Sequence, residues 1–288
     1  MTKFFEAPDG RRLAYQDTGG AGPVVLCLAG LTRNGRDFAG LAMHLAGSRT
    51  PGYRVLRLDS RGRGMSEWAD DPVAEYTVPV EARDALALLD HLEIPRAAVI
   101  GTSRGGVLGM IIGATASARI SCLVMNDIGP VIEPEGFAGI MGFLGIEPRA
   151  ETFEAAAAGL ERAMGAAFPD LSAKQWLGFA RTIYRDEDGR PRLSYDARLR
   201  QAVEAAMQAA KQAGQADLWG FFDALAGLPI LTIRGENSDI LSAETMAEMA
   251  RRRPDLRHVM VAKRGHVPFL DEPEALAAID DFLERHAT

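Results

Sequence analysis

The chain has 288 residues, 47% of them hydrophobic and 25% charged, as in a folded globular protein with one large α/β domain or two smaller ones. Its formal net charge of -7 argues against nucleic acid as a partner, because affinity for phosphate comes from clustered Lys and Arg. The start "MTKFFEAPDG" has no apolar signal core and no run approaches the ~20 apolar residues of a membrane span, so no membrane partner and a cytoplasmic location are expected.

In chain order, the first residues read as a β-hairpin, "TKFFEA" and "RRLAYQDTG" joined by the turn "PDG". Apolar, β-branched runs follow: "PVVLCLAG" near Val24, "YRVLRLD" near Val55, "AAVIGTS" near Val99, "ISCLVMNDI" near Val124, "PILTIRG" near Ile230 and "LRHVMVAK" near Val259. Cys27 and Cys122 lie inside such runs and read as core residues in a reducing compartment. Between the runs, "VPVEARDALALLDHL" spaces Val80, Leu86, Leu89 and Leu92 for an amphipathic helix, as "EPEALAAIDDFLERH" does with Leu276, Ile279 and Leu283. This alternation predicts an α/β fold with a mostly parallel central sheet and helices on both faces. The ligand site is then expected at the carboxyl ends of the strands.

The rhythm lapses from Val131 to Phe222, where Ala-rich helical stretches such as "ETFEAAAAGLERAMGAAF" and "DARLRQAVEAAMQAAKQAG" contain no convincing strand. An ordinary αβ connection runs about 2 to 6 residues. Residues 131–222 therefore read as an inserted helical subdomain, and 1–130 with 223–288 as the core.

The stretch "AVIGTSRGGVLGM" stops an apolar run at Gly101, offers Ser103, and resumes through Gly105 and Gly106 into a helical pattern. That is G-x-S-x-G in a strand–turn–helix setting, where small neighbours let the backbone turn sharply enough to expose a serine. A serine hydroxyl needs a base, and the base an orienting carboxylate. Of the five histidines, His44 and His91 fall in helical segments, His258 in a strand and His286 at the terminus. His266 instead sits in "KRGHVPF", a loop after the last strand that Pro268 prevents from continuing as helix. For the carboxylate, "LTIRGENSDILS" delivers Asp239 into a loop at the same sheet edge, and Asp239 is the expected acid. Asp127 in "VMNDIGP" is its rival, with pocket shaping or turn capping as its other reading.

With these residues in place, the whole chain resembles the α/β-hydrolase family. "LAGLTRNGRDF" is similar to its oxyanion loop, "LDSRGRGMS" to its D-x-R-G-x-G-x-S turn, "GTSRGG" to its nucleophile elbow and "GHVPFLDEPEAL" to its histidine loop. The order Ser103, Asp239, His266 is the family's order. The resemblance implies an oxyanion hole made of the backbone N–H groups of Leu31 and Arg104, and a cap or lid at the insertion. One departure stands out: the family commonly has His-Gly before the oxyanion residue, whereas Ala29 precedes Gly30 here, so the backbone donor survives but a side-chain brace does not.

Other conspicuous residues carry plainer readings. Asp59, Arg61, Gly62, Gly64 and Ser66 lack the Lys-Ser/Thr of a phosphate loop and read as a structural turn. "RDEDGRPRLSYD" has Gly189 too early for a calcium loop and reads as an exposed hairpin or turn, flanked by arginines on a solvated face. No H-E-x-x-H, C-x-x-C or i, i+4 histidine pair occurs, so neither metal nor cofactor is expected. Trp176, Tyr184, Trp219 and Phe222 are candidates either to line an apolar pocket or to hold the insertion together. The expected function is a serine hydrolase acting on a small or medium carboxylic ester or lactone through an acyl-enzyme. The alternatives are a carbon–carbon bond hydrolase acting on a diketone-like ring-fission product, and a ligand receptor that keeps the hydrolase shell.

Overall fold

Successive residues along a strand point to opposite faces, and this period of two assigns the apolar runs to two separate core layers. The computed structural model describes residues 1–213 and 218–287. β1 (Thr2–Glu6) and β2 (Arg12–Asp17) form the N-terminal hairpin, followed by β3 (Val24–Leu28), α1 (Ala39–Gly47), β4 (Arg54–Leu58), α2 (Pro72–Glu75) and α3 (Val78–His91). Then come β5 (Ala97–Thr102), α4 (Arg104–Thr115) and β6 (Ile120–Asn126). The next stretch holds α5 (Pro134–Phe143), α6 (Phe153–Met164), α7 (Ala173–Ile183), β7 (Tyr184–Glu187), β8 (Arg190–Leu193) and α8 (Leu199–Ala213). The chain closes with α9 (Leu218–Asp223), β9 (Ile230–Gly235), α10 (Ala243–Arg252), β10 (Arg257–Val261) and α11 (Pro273–His286).

The main sheet has the order β1-β2-β4-β3-β5-β6-β9-β10. β1 and β2 pair antiparallel, as do β2 and β4, and the remaining neighbours are parallel. Leu26, Leu28, Val99, Leu123 and Met125 face one side, packed with Leu88 and Leu89 of α3, Leu108 of α4 and Met249 of α10. Val25, Cys27, Ile100, Val124 and Ile233 face the other, packed with Leu41 and Leu45 of α1 and Ile279, Phe282 and Leu283 of α11. Burial pushes the thiols of both Cys27 and Cys122 up to about 12. No helix among the described residues is long and apolar enough to cross a membrane.

Because β3 to β6, β9 and β10 run parallel, the loops after Leu28, Leu58, Thr102, Asn126, Gly235 and Val261 all leave from one edge of the sheet. The motif read as a structural turn occupies one of them. Asp59 accepts from the amides of Gly35 (2.8 Å) and Met65 (3.0 Å), and the fully buried Arg61 pairs with Asp84 (2.6 Å) and Asp9 (2.8 Å).

Between β6 and β9, a stretch with no convincing strand in its sequence, the hairpin-or-turn reading of "RDEDGRPRLSYD" resolves as a hairpin. The insertion contains two short strands, β7 and β8, paired antiparallel. Asp188 and Gly189 at the turn both take positive φ (52° and 82°), the conformation that an Asp-Gly hairpin turn requires. β7 is mostly charged and exposed, and only Pro191 and Leu193 of β8 alternate inward, too few to mark a strand. The stretch "DARLRQAVEAAMQAAKQAG" is helical over Leu199–Ala213, and its Gly214 lies outside the described residues. Two apolar clusters hold this region, one around Phe153, Phe168 and Trp176, the other around Leu144, Leu193, Tyr195 and Leu199. It is tied to the core loops by Tyr76 Oη donating to Asp196 (2.7 Å) and Asn34 Nδ2 donating to Ser194 Oγ (3.0 Å).

The elbow of β5 and α4 is packed backbone to backbone. A Cβ at Gly105 would collide with the carbonyl of Leu28 in β3, and one at Gly101 with the carbonyl of Gly105. Gly105→Ala is therefore expected to cost about 3 kcal/mol or more through overpacking. Gly139→Ala, in the exposed middle of α5 with open space around it, should instead stabilise by roughly 0.5–1 kcal/mol. Urea unfolding of the two variants checks the contrast.

Candidate active site

Ser103 follows β5 directly and opens α4 with φ 51° and ψ -118°, a conformation that a non-glycine residue adopts only under constraint. Two backbone bonds hold it there: its N–H donates to the carbonyl of Asn126 (2.9 Å), and its carbonyl accepts from the N–H of Gly106 (2.8 Å). The apolar run that ends in glycine thus delivers the hydroxyl to the carboxyl edge of the sheet.

His266 reaches the same point from the loop after β10. Its Nε2 lies 2.9 Å from Ser103 Oγ and its Nδ1 lies 2.7 Å from Asp127 Oδ2. A carboxylate can only accept, so Nδ1 carries the proton and Nε2 is left to accept from the serine hydroxyl. The imidazole is mostly buried, with 13% of its side chain exposed.

The carboxylate at His266 is Asp127 rather than the expected Asp239, and local geometry accounts for the difference. Asp127 leaves β6 with φ 57°, donates its N–H to Ile233 of the neighbouring β9 (2.7 Å), and is fully buried. Its Oδ1 accepts from the N–H of Gly235 (2.8 Å) and its Oδ2 from the hydroxyl of Ser238 (2.6 Å) as well as from His266. Asp239 is one residue beyond Ser238, and its side chain is exposed. The loop after β9 therefore sends a serine, not its aspartate, toward the Asp127 carboxylate.

Two residues at this junction escaped the sequence reading. Ser238 Oγ donates to Asp127 while accepting from the amide of Leu241 (3.1 Å), which fixes the turn that excludes Asp239. Asn126 Nδ2 donates to Thr102 Oγ1 (3.1 Å) and to the carbonyl of Pro268 (3.0 Å), tying the end of the nucleophile strand to the histidine loop. Neither had a sequence signal beyond its place beside an aspartate.

On the opposite side of Ser103 lies the loop after β3. A Cβ at Gly30 would sit 3.7 Å from that of Ser103, so the Gly30–Leu31 peptide borders the serine directly. Arg104 occupies the first position of α4, where a backbone N–H has no partner within the helix. Neither the N–H of Leu31 nor that of Arg104 donates to another group among the described residues.

The four aromatic candidates separate. Tyr184 touches both insertion clusters, one of which includes Leu31 and the other Phe269. Trp176 is buried edge-on to Phe168 and Phe179 (6.1 Å each), and Phe168 stacks on Phe269 (5.5 Å) beyond His266. Phe222, by contrast, has no exposed surface and belongs to the core layer with Leu225 and α4. Trp219 packs beside it (5.8 Å) with Arg252 of α10 over its ring (4.1 Å). Three of the other histidines have structural surroundings: His44 meets Asp280 (2.7 Å), His91 packs on Phe5 and His286 on Phe282, while His258 is exposed on β10.

The profile of the alpha/beta hydrolase family matches residues 25–279, and the chain belongs to this family. It is 35% identical to a 3-hydroxybutyrate-oligomer hydrolase of Cupriavidus necator over 94% of this chain and 92% of that protein. It is also 28% identical to a 2-(acetamidomethylene)succinate hydrolase of Mesorhizobium japonicum, over 92% of this chain and 89% of the other. A crystal structure of an alpha/beta hydrolase from Novosphingobium aromaticivorans aligns with a TM-score of 0.90 at 43% identity, covering 99% of this chain and 98% of that one. The chain is thus a hydrolase with the α/β-hydrolase fold.

The two aspartates give the sharpest test of the geometry. Asp127→Asn is expected to lower kcat by about 10⁴ because it disfavours the tautomer that leaves Nε2 free. Asp239→Asn should stay within about twofold of wild type, as for a surface change away from the site. Steady-state turnover of an activated ester by both variants measures the difference.

Proposed function

We propose that the protein is a serine hydrolase of carboxylic esters that works through an acyl-enzyme, with Ser103, His266 and Asp127 as its catalytic triad. The observation that carries this reading is the imidazole of His266 within hydrogen-bond distance of both Ser103 Oγ and Asp127. Ser103 Oγ attacks the ester carbonyl carbon as its proton passes to His266 Nε2. The resulting oxyanion is met by the N–H groups of Leu31 and Arg104. Collapse breaks the bond to the leaving alkoxide, which takes the proton from Nε2. Water then adds to the acyl carbon, its proton passing to the same nitrogen, and the second collapse frees the carboxylic acid and returns the proton to Ser103.

Asp127 keeps the ring in the required tautomer and stabilises the imidazolium that forms at each step. The region between β6 and α9 acts in this reading as a cap that shapes the acyl and alcohol sites, with Tyr184 packed against both of its apolar clusters. No step calls for a metal or cofactor. The relative that acts on 3-hydroxybutyrate oligomers makes short oligoesters of hydroxy acids the first substrates to try, alongside small alkyl esters and lactones.

A fluorophosphonate probe with peptide mapping should label Ser103, and Ser103→Ala should lose about 10⁵–10⁶ of kcat on p-nitrophenyl esters and hydroxybutyrate oligomers. Labelling elsewhere, or turnover that survives in Ser103→Ala, overturns the reading.

A further inference from the structure

The family's side-chain brace before the oxyanion residue is absent here, since Ala29 stands in that place. Something else must fix the Leu31 amide, because an oxyanion donor acts only if it is aimed before the charge develops. The carbonyl of Gly30 accepts from the N–H of Arg33 (3.0 Å). In a trans peptide that bond points the Leu31 N–H the opposite way. The next carbonyl, that of Leu31 itself, accepts from Nε of Arg63 (2.9 Å). Both peptide planes flanking the Leu31 Cα are therefore tied.

Arg63 is a buried residue in the turn after β4, with 1% of its side chain exposed. Its Nη1 donates to Glu81 Oε1 (2.8 Å) and to the carbonyl of Arg61 (2.7 Å). Glu81, on α3 and equally buried, also accepts from Arg104: Nε to Oε2 at 2.7 Å and Nη2 to Oε1 at 3.0 Å. Arg104 Nη2 donates further to the carbonyl of Tyr76 (3.1 Å). One carboxylate thus joins the guanidinium that holds Leu31 to the side chain of the residue carrying the other amide. Burial raises the Glu81 carboxyl, but the Arg104 and Arg63 charges outweigh it and leave the group below the usual carboxylate range.

We propose that Arg63 and Glu81 are positioning residues for the oxyanion hole: the chain Leu31–Arg63–Glu81–Arg104 sets the two backbone donors at a fixed separation and replaces the missing brace. The proposal rests on the catalytic reading given above. Neither side chain touches the reacting atoms. Their contribution is to keep two loops, from β3 and β5, from relaxing apart as the tetrahedral intermediate forms.

The test must separate geometry from charge. Arg63→Met/Glu81→Met removes one positive and one negative group, so the Arg104 charge and the local net charge are retained while the tie is lost. Glu81 is also the carboxylate partner of Arg104, whose side chain is 16% exposed and keeps its bond to the Tyr76 carbonyl, so this variant is expected to be less stable and its fold is checked by urea unfolding before kinetics. Arg63→Lys is the second variant: it keeps the charge beside Glu81 but lacks the fork that spans Leu31 and Glu81. On p-nitrophenyl butyrate, both variants are expected to lose about ten- to a hundredfold in kcat, less than deleting an oxyanion donor outright, with KM within about twofold. The inhibition constant of an alkylboronic acid, which closes on Ser103 as a tetrahedral anion, should rise by the same factor as kcat/KM falls. That of butyrate, bound without a covalent bond, should not move.

Folded variants with unchanged kcat and boronate affinity overturn the proposal. So does a loss that falls equally on KM and butyrate binding, the pattern of general distortion. If wild-type Ser103 is not labelled by the fluorophosphonate, the catalytic reading fails and takes this one with it. Labelled Ser103 with indifferent Arg63 and Glu81 variants removes this inference alone.

Discussion

A carboxylate with no contact with water has to find its solvation within the protein, and Asp127 does so at the meeting point of three loops. Its oxygens take the amide of Gly235, the hydroxyl of Ser238 and the Nδ1–H of His266. An unpaired charge in that position would carry a large desolvation penalty. The three donors are thus held by the carboxylate as much as they hold it. His266 is fixed as a result in the orientation that turns its other nitrogen to Ser103.

The sheet supplies the frame in which those loops can meet. β5, β6 and β9 are consecutive parallel neighbours, so Ser103, Asp127 and Ser238 leave from adjacent strand ends at similar height. The glycines at 101 and 105 let β3, β5 and α4 approach closely enough to bring the Gly30–Leu31 peptide beside the serine. The positive φ of Ser103 costs of order 1–3 kcal/mol, a local strain that the surrounding packing sustains. Asn126 adds a lateral tie, bonding the β5 end and the histidine loop with one amide group.

Much of this was legible in the sequence because the relevant signals are local. Each apolar run became a strand of the main sheet, since β-branched runs bounded by glycine and polar residues leave few other options. Ser103 was marked by its glycines, and His266 by the Gly265 and Pro268 around it. The acid was not legible in the same way. Asp127 and Asp239 both follow strands that end at the same edge, and the choice between them turns on a single residue of register in the loop after β9. Ser238 takes the inward position there, and no local pattern announces that. The β7–β8 hairpin, one of the two readings of "RDEDGRPRLSYD", was marked by its Asp-Gly turn, while its strands were not, because only Pro191 and Leu193 of β8 alternate inward and most of the rest is exposed and charged, with pairs such as Arg192–Glu187 (3.1 Å). Nothing in the sequence separated the readings of Phe222, because an aromatic residue has the same sequence signature in a core layer as in a pocket wall.

The central claim is that one imidazole links Ser103 to a buried Asp127 beside two backbone donors. A crystal structure of the covalent phosphonate adduct tests it most directly. The account predicts a phosphoryl oxygen about 2.7–3.1 Å from the N–H groups of both Leu31 and Arg104, with His266 Nδ1 still on Asp127. An adduct oxygen facing solvent, or His266 turned to Asp239 in the adduct, would contradict it.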